Sequence, residues 1–121
     1  MSRDHRKLHV FTLADQFVLD IYTVSESFPD RERYGLQSQI RRAAVSTVCN
    51  IVEGSARQTV REYVHFLHIA TGSASEVEYL ITLAVRLRML RPDKGDDLVR
   101  GYASLSAALR ALTRSLDNLN A

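Results

Sequence analysis

Six polar residues stand at spacings that could do chemistry together. Arg42, Asn50, Glu53 and Arg57 fall on one expected helix, and Ser73 and Glu76 on the next. Steps of three and four also place Gln39, Arg42, Ser46, Asn50 and Glu53 along one face of the first of these. Two carboxylates held near each other can act as acid and base. An arginine beside a carboxylate makes a forked ion pair, and an asparagine both donates and accepts. Acid–base work would need company: a nucleophile, a metal set or a phosphate loop. The sequence supplies none beside them, so the six are expected to form a structural network or a binding site and no catalytic centre.

The other reactive side chains point the same way. His65 and His68 are three apart on a helix, a spacing that can chelate a metal. Zinc would need further ligands, and no Cys or other His lies nearby in sequence. His5 and His9 fall in an N-terminal stretch expected to be loose. Tyr63, Phe66 and Tyr79 sit at helical spacing and read as core before they read as base-stacking platforms. Cys49 is the only cysteine and lies beside Val48 and Ile51, which suggests a buried, inert thiol. No catalytic, cofactor-binding or metal-ligating residue is assigned, and no small-molecule substrate is expected.

These side chains need helices to hold them, and helical periodicity runs the length of the chain. The 121 residues are 45% hydrophobic and 25% charged, enough to bury one core without a metal or disulfide. Val10, Ala14, Phe17, Ile21, Val24 and Phe28 alternate at four and three, giving a helix over about 10–27. Phe11, Val18 and Tyr22 add a second apolar strip to it. Leu36, Ile40, Ala44, Val48 and Ile51 define a helix over 36–53, with Gly54 as its terminator. Thr59 and Glu62 have capping-box spacing at the head of a third, over 60–90. That helix would be about 45 Å long. Gly72 interrupts it and reads as a place of close helix contact. Pro92 is expected to stop it. Leu98, Tyr102, Leu105, Leu109, Leu112, Leu116 and Leu119 carry a fourth helix over 96–119. The fold class is all-α: one domain over residues 1–121, an antiparallel up-down four-helix bundle.

Charge is modest at +2, but 14 of the 16 basic residues are arginine. Arg41, Arg61, Arg86, Arg88, Arg91, Arg110 and Arg114 are the candidate contacts to nucleic acid. Arg31, Arg33 and Arg42 lie in the same basic groups. A lone thiol, a charged N-terminal stretch and the lack of a long apolar run lead us to expect a cytoplasmic protein with no membrane contact.

One stretch carries a resemblance. Phe28-Pro29, Tyr34-Gly35-Leu36, Ser38-Gln39-Ile40-Arg41-Arg42-Ala43-Ala44, Ser46, Asn50-Ile51 and Glu53-Gly54 stand in order. Arg57, Phe66-Leu67, Ile69-Ala70, Gly72-Ser73, Glu76 and Glu78 follow them. This series resembles the bacterial four-helix-bundle family, also called the 23S rRNA intervening-sequence protein family. Val10-Phe11 stands where that family often has an aromatic or Trp, and Val48-Cys49 replaces smaller residues. The resemblance implies a bundle that assembles as a homopentameric ring, with no known catalytic activity. The family is similar to the accessory protein of diversity-generating retroelements. A pentamer would carry about +10 and could hold polyanions through their phosphates.

The expected function is therefore a non-enzymatic oligomeric scaffold or adaptor with a protein partner. The alternative is a nucleic-acid-binding accessory subunit for RNA or DNA, serving a reverse transcriptase or an rRNA-associated element. Surplus apolar strips on the first and third helices favour self-association. No cofactor is expected.

Overall fold

The computed structural model describes residues 4–120. Four helices account for nearly all of them: α1 (His9–Ser25), α2 (Leu36–Ser55), α3 (Val60–Arg86) and α4 (Pro92–Asn120). Two 3-10 turns, His5–Lys7 and Asp30–Glu32, precede α1 and α2. No strand occurs among the described residues. The apolar stripes converge on one core. Ile21, Ile40, Ile51, Leu67, Ile81, Leu105 and Leu109 are fully buried there, together with the rings of Tyr63 and Tyr102. A fully buried aliphatic side chain of this kind contributes about 1.5–3 kcal/mol. Phe17 is the one member of the expected α1 stripe left half-buried.

Helix ends depart from the sequence expectation for identifiable reasons. The stretch expected to be loose forms a 3-10 turn over His5–Lys7, capped by Asp4, whose carboxylate accepts the Arg6 amide at 3.0 Å. His5 then packs edge-on to Phe11, with ring centroids 4.8 Å apart, and His9 already belongs to α1. Helix α3 stops at Arg86 instead of residue 90. The amide of Met89 donates to the Ala84 carbonyl and that of Arg88 to the Val85 carbonyl. Arg88 has φ of 61°. This is the Schellman arrangement, with an arginine at the left-handed position that glycine usually fills. Pro92 does not end α3; it opens α4. It suits a first helical position, where its missing N–H costs nothing.

Two glycines also play parts other than those their spacing suggests. Gly54 lies inside α2, buried. A Cβ there would come within 3.0 Å of Phe66 Cβ, 3.1 Å of Tyr63 Cδ1 and 3.3 Å of the Tyr63 carbonyl oxygen. It is where α2 and α3 approach most tightly at that end, and not a terminator. Gly72 is the reverse. A Cβ there would meet nothing within 4 Å, so it faces no helix of its own chain.

Helix α1 is tied to α2 by side chains. Arg41 Nε donates to Ser25 Oγ at 2.8 Å, and Nη2 donates to the Tyr22 carbonyl at 3.2 Å. The same Nη2 lies 3.2 Å from Glu26, and the guanidinium covers the Tyr22 ring at 4.6 Å. Gln37 Nε2 adds a bond to the Ser25 carbonyl at 2.8 Å. The last carbonyls of a helix lack partners within it, and here α2 supplies them.

Tyr102 is buried in α4 with its ring 5.2 Å from that of Phe17. Its hydroxyl has no hydrogen-bond partner among the described residues. Burial pushes that hydroxyl above the ordinary tyrosine range, and the nearby Asp20 carboxylate adds to the effect. The folded protein therefore keeps a proton that the unfolded chain releases above about pH 10. Stability attributable to Tyr102 is complete below that pH and is lost above it, at about 1.4 kcal/mol per pH unit. Urea unfolding at neutral and alkaline pH should show Tyr102→Phe losing less stability than the parent on alkaline transfer. Equal losses in both would mean that Tyr102 ionises as freely in the fold as out of it.

Candidate functional site

The six-residue polar cluster resolves into two separate contacts and two outliers. Ser46 Oγ and Ser73 Oγ are 2.8 Å apart and join α2 to α3. Asn50 Nδ2 donates to the Ser46 carbonyl at 2.8 Å and to Ser46 Oγ at 3.1 Å. One turn on, Arg57 pairs with Glu53 across i,i+4 and lies over the Phe66 ring at 4.8 Å. Glu53 is half exposed, and such a pair contributes at most about 1 kcal/mol. Arg57 Nε is buried without a hydrogen-bond acceptor among the described residues. Arg42 is exposed and reaches only Ser38 Oγ, at 3.5 Å. Glu76 is exposed and makes no hydrogen bond or ion pair among the described residues. The paired carboxylates that acid–base work would need are not brought together.

Cys49 is exposed, against the expectation of a buried thiol. The core face of α2 is centred on Ile40, Ala44, Thr47 and Ile51. Position 49 is two residues from both Thr47 and Ile51, about 200° round the helix from each, so it points outward. Tyr63 is buried and Phe66 half-buried, in line with their spacing, but Tyr79 is 57% exposed. No group of three or more His, Cys, Asp or Glu that could hold a metal occurs among the described residues.

The candidate arginines scatter over the surface. Arg41 spends its guanidinium on α1. Arg86, Arg88 and Arg91 ring the turn between α3 and α4, and Arg91 pairs with Asp93 at 3.0 Å. Arg110, Arg114 and Asp117 on α4 and His68 and Thr71 on α3 line a groove of roughly 340 Å³. Arg61 stands alone and exposed near the start of α3.

Sequence reasoning puts Arg33, Arg41 and Arg42 in one basic group but does not bring Tyr34 to them. Arg33, Tyr34, Arg41 and Arg42 line a groove of roughly 540 Å³ with Tyr22 and Ser38. Tyr34 is 90% exposed, and no hydrogen bond or ring contact holds it among the described residues. The available signal is an aromatic residue set in the charged link Arg31-Glu32-Arg33-Tyr34. Elsewhere, Phe17, Asp20, Lys94, Asp97 and Leu98 surround a cavity of roughly 180 Å³ between α1 and α4. No helix among the described residues is long and apolar enough to cross a membrane.

Comparison with known proteins gives a family and a fold. The sequence model of the family described as 23S rRNA-intervening sequence protein matches residues 6–111. A crystal structure of a protein of unknown function from the S23 ribosomal protein family of Bacteroides thetaiotaomicron is similar, with a TM-score of 0.81 at 20% identity. The match covers 87% of this chain and 95% of that one, and at this identity it speaks for the fold alone. No curated protein matches the chain in sequence.

Proposed function

Because the chain belongs to the 23S rRNA-intervening sequence protein family, we propose that it is a non-enzymatic, homo-oligomeric bundle protein acting as a scaffold or adaptor. Its subunit is an antiparallel up-down bundle. Gly54 against Tyr63 and Ser46 against Ser73 support that course for α2 and α3. Ser106 near Glu78 and Gly95 near Ile81 support it for α3 and α4. We place the protein in the cytoplasm, where an exposed thiol such as Cys49 stays reduced.

One observation carries the assembly reading. His65, Ile69, Gly72, Glu76 and Tyr79 follow one another along α3 at steps of four and three, and all five are exposed. Ile69 is 39% exposed, and Gly72 leaves the backbone bare between Ile69 and Tyr79. A stripe at heptad spacing, with Ile69 and Tyr79 flanking a bare glycine, suits a helix of a neighbouring subunit. The number five comes from the resemblance to the pentameric bundle family. Sedimentation of the full chain at micromolar concentration should give a single oligomer. Ile69→Asp should turn it into a monomer of unchanged helical content, because the substituted position is at the surface. A parent that sediments as a monomer would overturn the reading, whereas a tetramer or hexamer would correct only the number.

A further inference from the structure

We propose that the groove between the α1–α2 link and α2 binds single-stranded nucleic acid, with phosphates on Arg33 and Arg42 and an unpaired base on Tyr34. The inference is independent of the assembly reading, since every residue it uses belongs to one chain.

Charge comes first. Three arginines line the groove and no carboxylate does. Of the acids nearby, Glu26 lies against Arg41 at 3.2 Å and Glu32 accepts the Leu36 amide at 2.9 Å, while Asp30, three residues before Arg33, is exposed outside the groove lining. Arg41 is held by α1, so it forms a fixed wall. Arg33 and Arg42 are exposed and have no carboxylate partner among the described residues. Planar guanidiniums of this kind take phosphate oxygens two at a time.

The aromatic ring decides the class of polyanion. A tyrosine 90% exposed gives up nearly all the burial its ring could have. Between free arginines, an open ring matches the way single strands are held: a positive groove for the backbone and an aromatic face for the bases. A duplex hides its base faces and could use only the arginines. The groove between α3 and α4 differs on both counts. It has Arg110 and Arg114, but Asp117 stands among them, and its one ring is the smaller imidazole of His68.

Fluorescence anisotropy of the full chain with a labelled strand of about 20 nucleotides tests this. The probes are poly-uridine and the corresponding poly-thymidine. Tyr34→Ala should weaken binding about tenfold, and Tyr34→Phe should restore it. Arg33→Gln with Arg42→Gln should weaken binding and lower the salt slope by about 1.4, for two phosphates at about 0.7 each. Arg110→Gln with Arg114→Gln should change neither. All the substituted side chains are exposed, and an unchanged melting curve for each variant is the control for folding. Three results would overturn the proposal. One is the lack of saturable binding at about 100 µM protein, the weak end of ordinary non-specific affinity. Another is binding that Tyr34→Ala leaves unchanged. The third is competition by polyglutamate or duplex as effective as that by unlabelled single strand.

Discussion

Gly54→Leu should lower stability by about 3 kcal/mol, the upper end of the usual cost of overpacking a closed seam. The reason is the approach of α2 to α3. Even a Cβ at position 54 would meet Tyr63 Cδ1, Phe66 Cβ and a backbone carbonyl, all at 3.0–3.3 Å. The ring of Tyr63 is fully buried and cannot swing away. A leucine must therefore push the helices apart along the seam that also carries the Ser46–Ser73 bond. Gly54→Ala is the informative control. It asks the neighbours to give by only a few tenths of an ångström, and alanine returns about 1 kcal/mol of helix propensity. A melting point about 10 °C below the parent for leucine, and close to the parent for alanine, is the expected pattern. Leucine melting with the parent would mean that the two helices separate freely at this end.

Arg41→Ala should cost about 2 kcal/mol, seen as a lower urea midpoint without a change of slope. Ser25 is fully buried, and its Oγ loses its Arg41 donor. The Tyr22 carbonyl loses the same side chain but keeps the Ser25 hydroxyl at 3.3 Å. Arg41→Lys separates geometry from charge. A lysine keeps the positive charge that suits a helix C-terminus, but it cannot reach the Ser25 hydroxyl and the Tyr22 carbonyl with one rigid fork. Lysine is expected to recover less than half of the loss. Full recovery would show that charge alone is what α1 requires.

The helices and their buried faces are legible in the sequence because periodicity records burial directly. Val10, Ala14, Ile21 and Val24 on α1, or Leu98, Tyr102, Leu105 and Leu109 on α4, lie in the core as their spacing implies. What spacing does not record is the neighbour. Gly54 and Gly72 look alike in sequence, each a glycine among small residues. One is pressed against Tyr63 and the other faces open space. The end of α3 escapes a sequence reading because its left-handed residue is Arg88 and not glycine, so the usual mark of a Schellman stop is absent. Cys49 misleads through its neighbours in sequence, since its direction on the helix is the deciding fact. The groove around Tyr34 depends on how the 30–35 link folds back beside the end of α1. No pattern along α2 contains that information. Of the polar cluster, the Ser46–Asn50 and Glu53–Arg57 pairings follow from i,i+4 spacing. The link from Ser46 to Ser73 needs the fold.

The cavity between α1 and α4 has a consequence for motion. Helices α2, α3 and α4 follow one another through short links, and their seams are closed by buried side chains. Helix α1 meets α4 across a long stretch of sequence, through Phe17 against Tyr102 and Gly101. Beside that contact the roughly 180 Å³ space at Asp20, Lys94 and Asp97 leaves the seam underfilled. The space opens to solvent past the exposed Lys94 and Asp97, so its walls meet water where other seams meet packed side chains. Local opening begins where the fewest packing contacts must be broken. Local opening of the bundle is therefore expected to start at the α1–α4 seam, while Arg41 and Gln37 still hold the C-terminal end of α1 to α2.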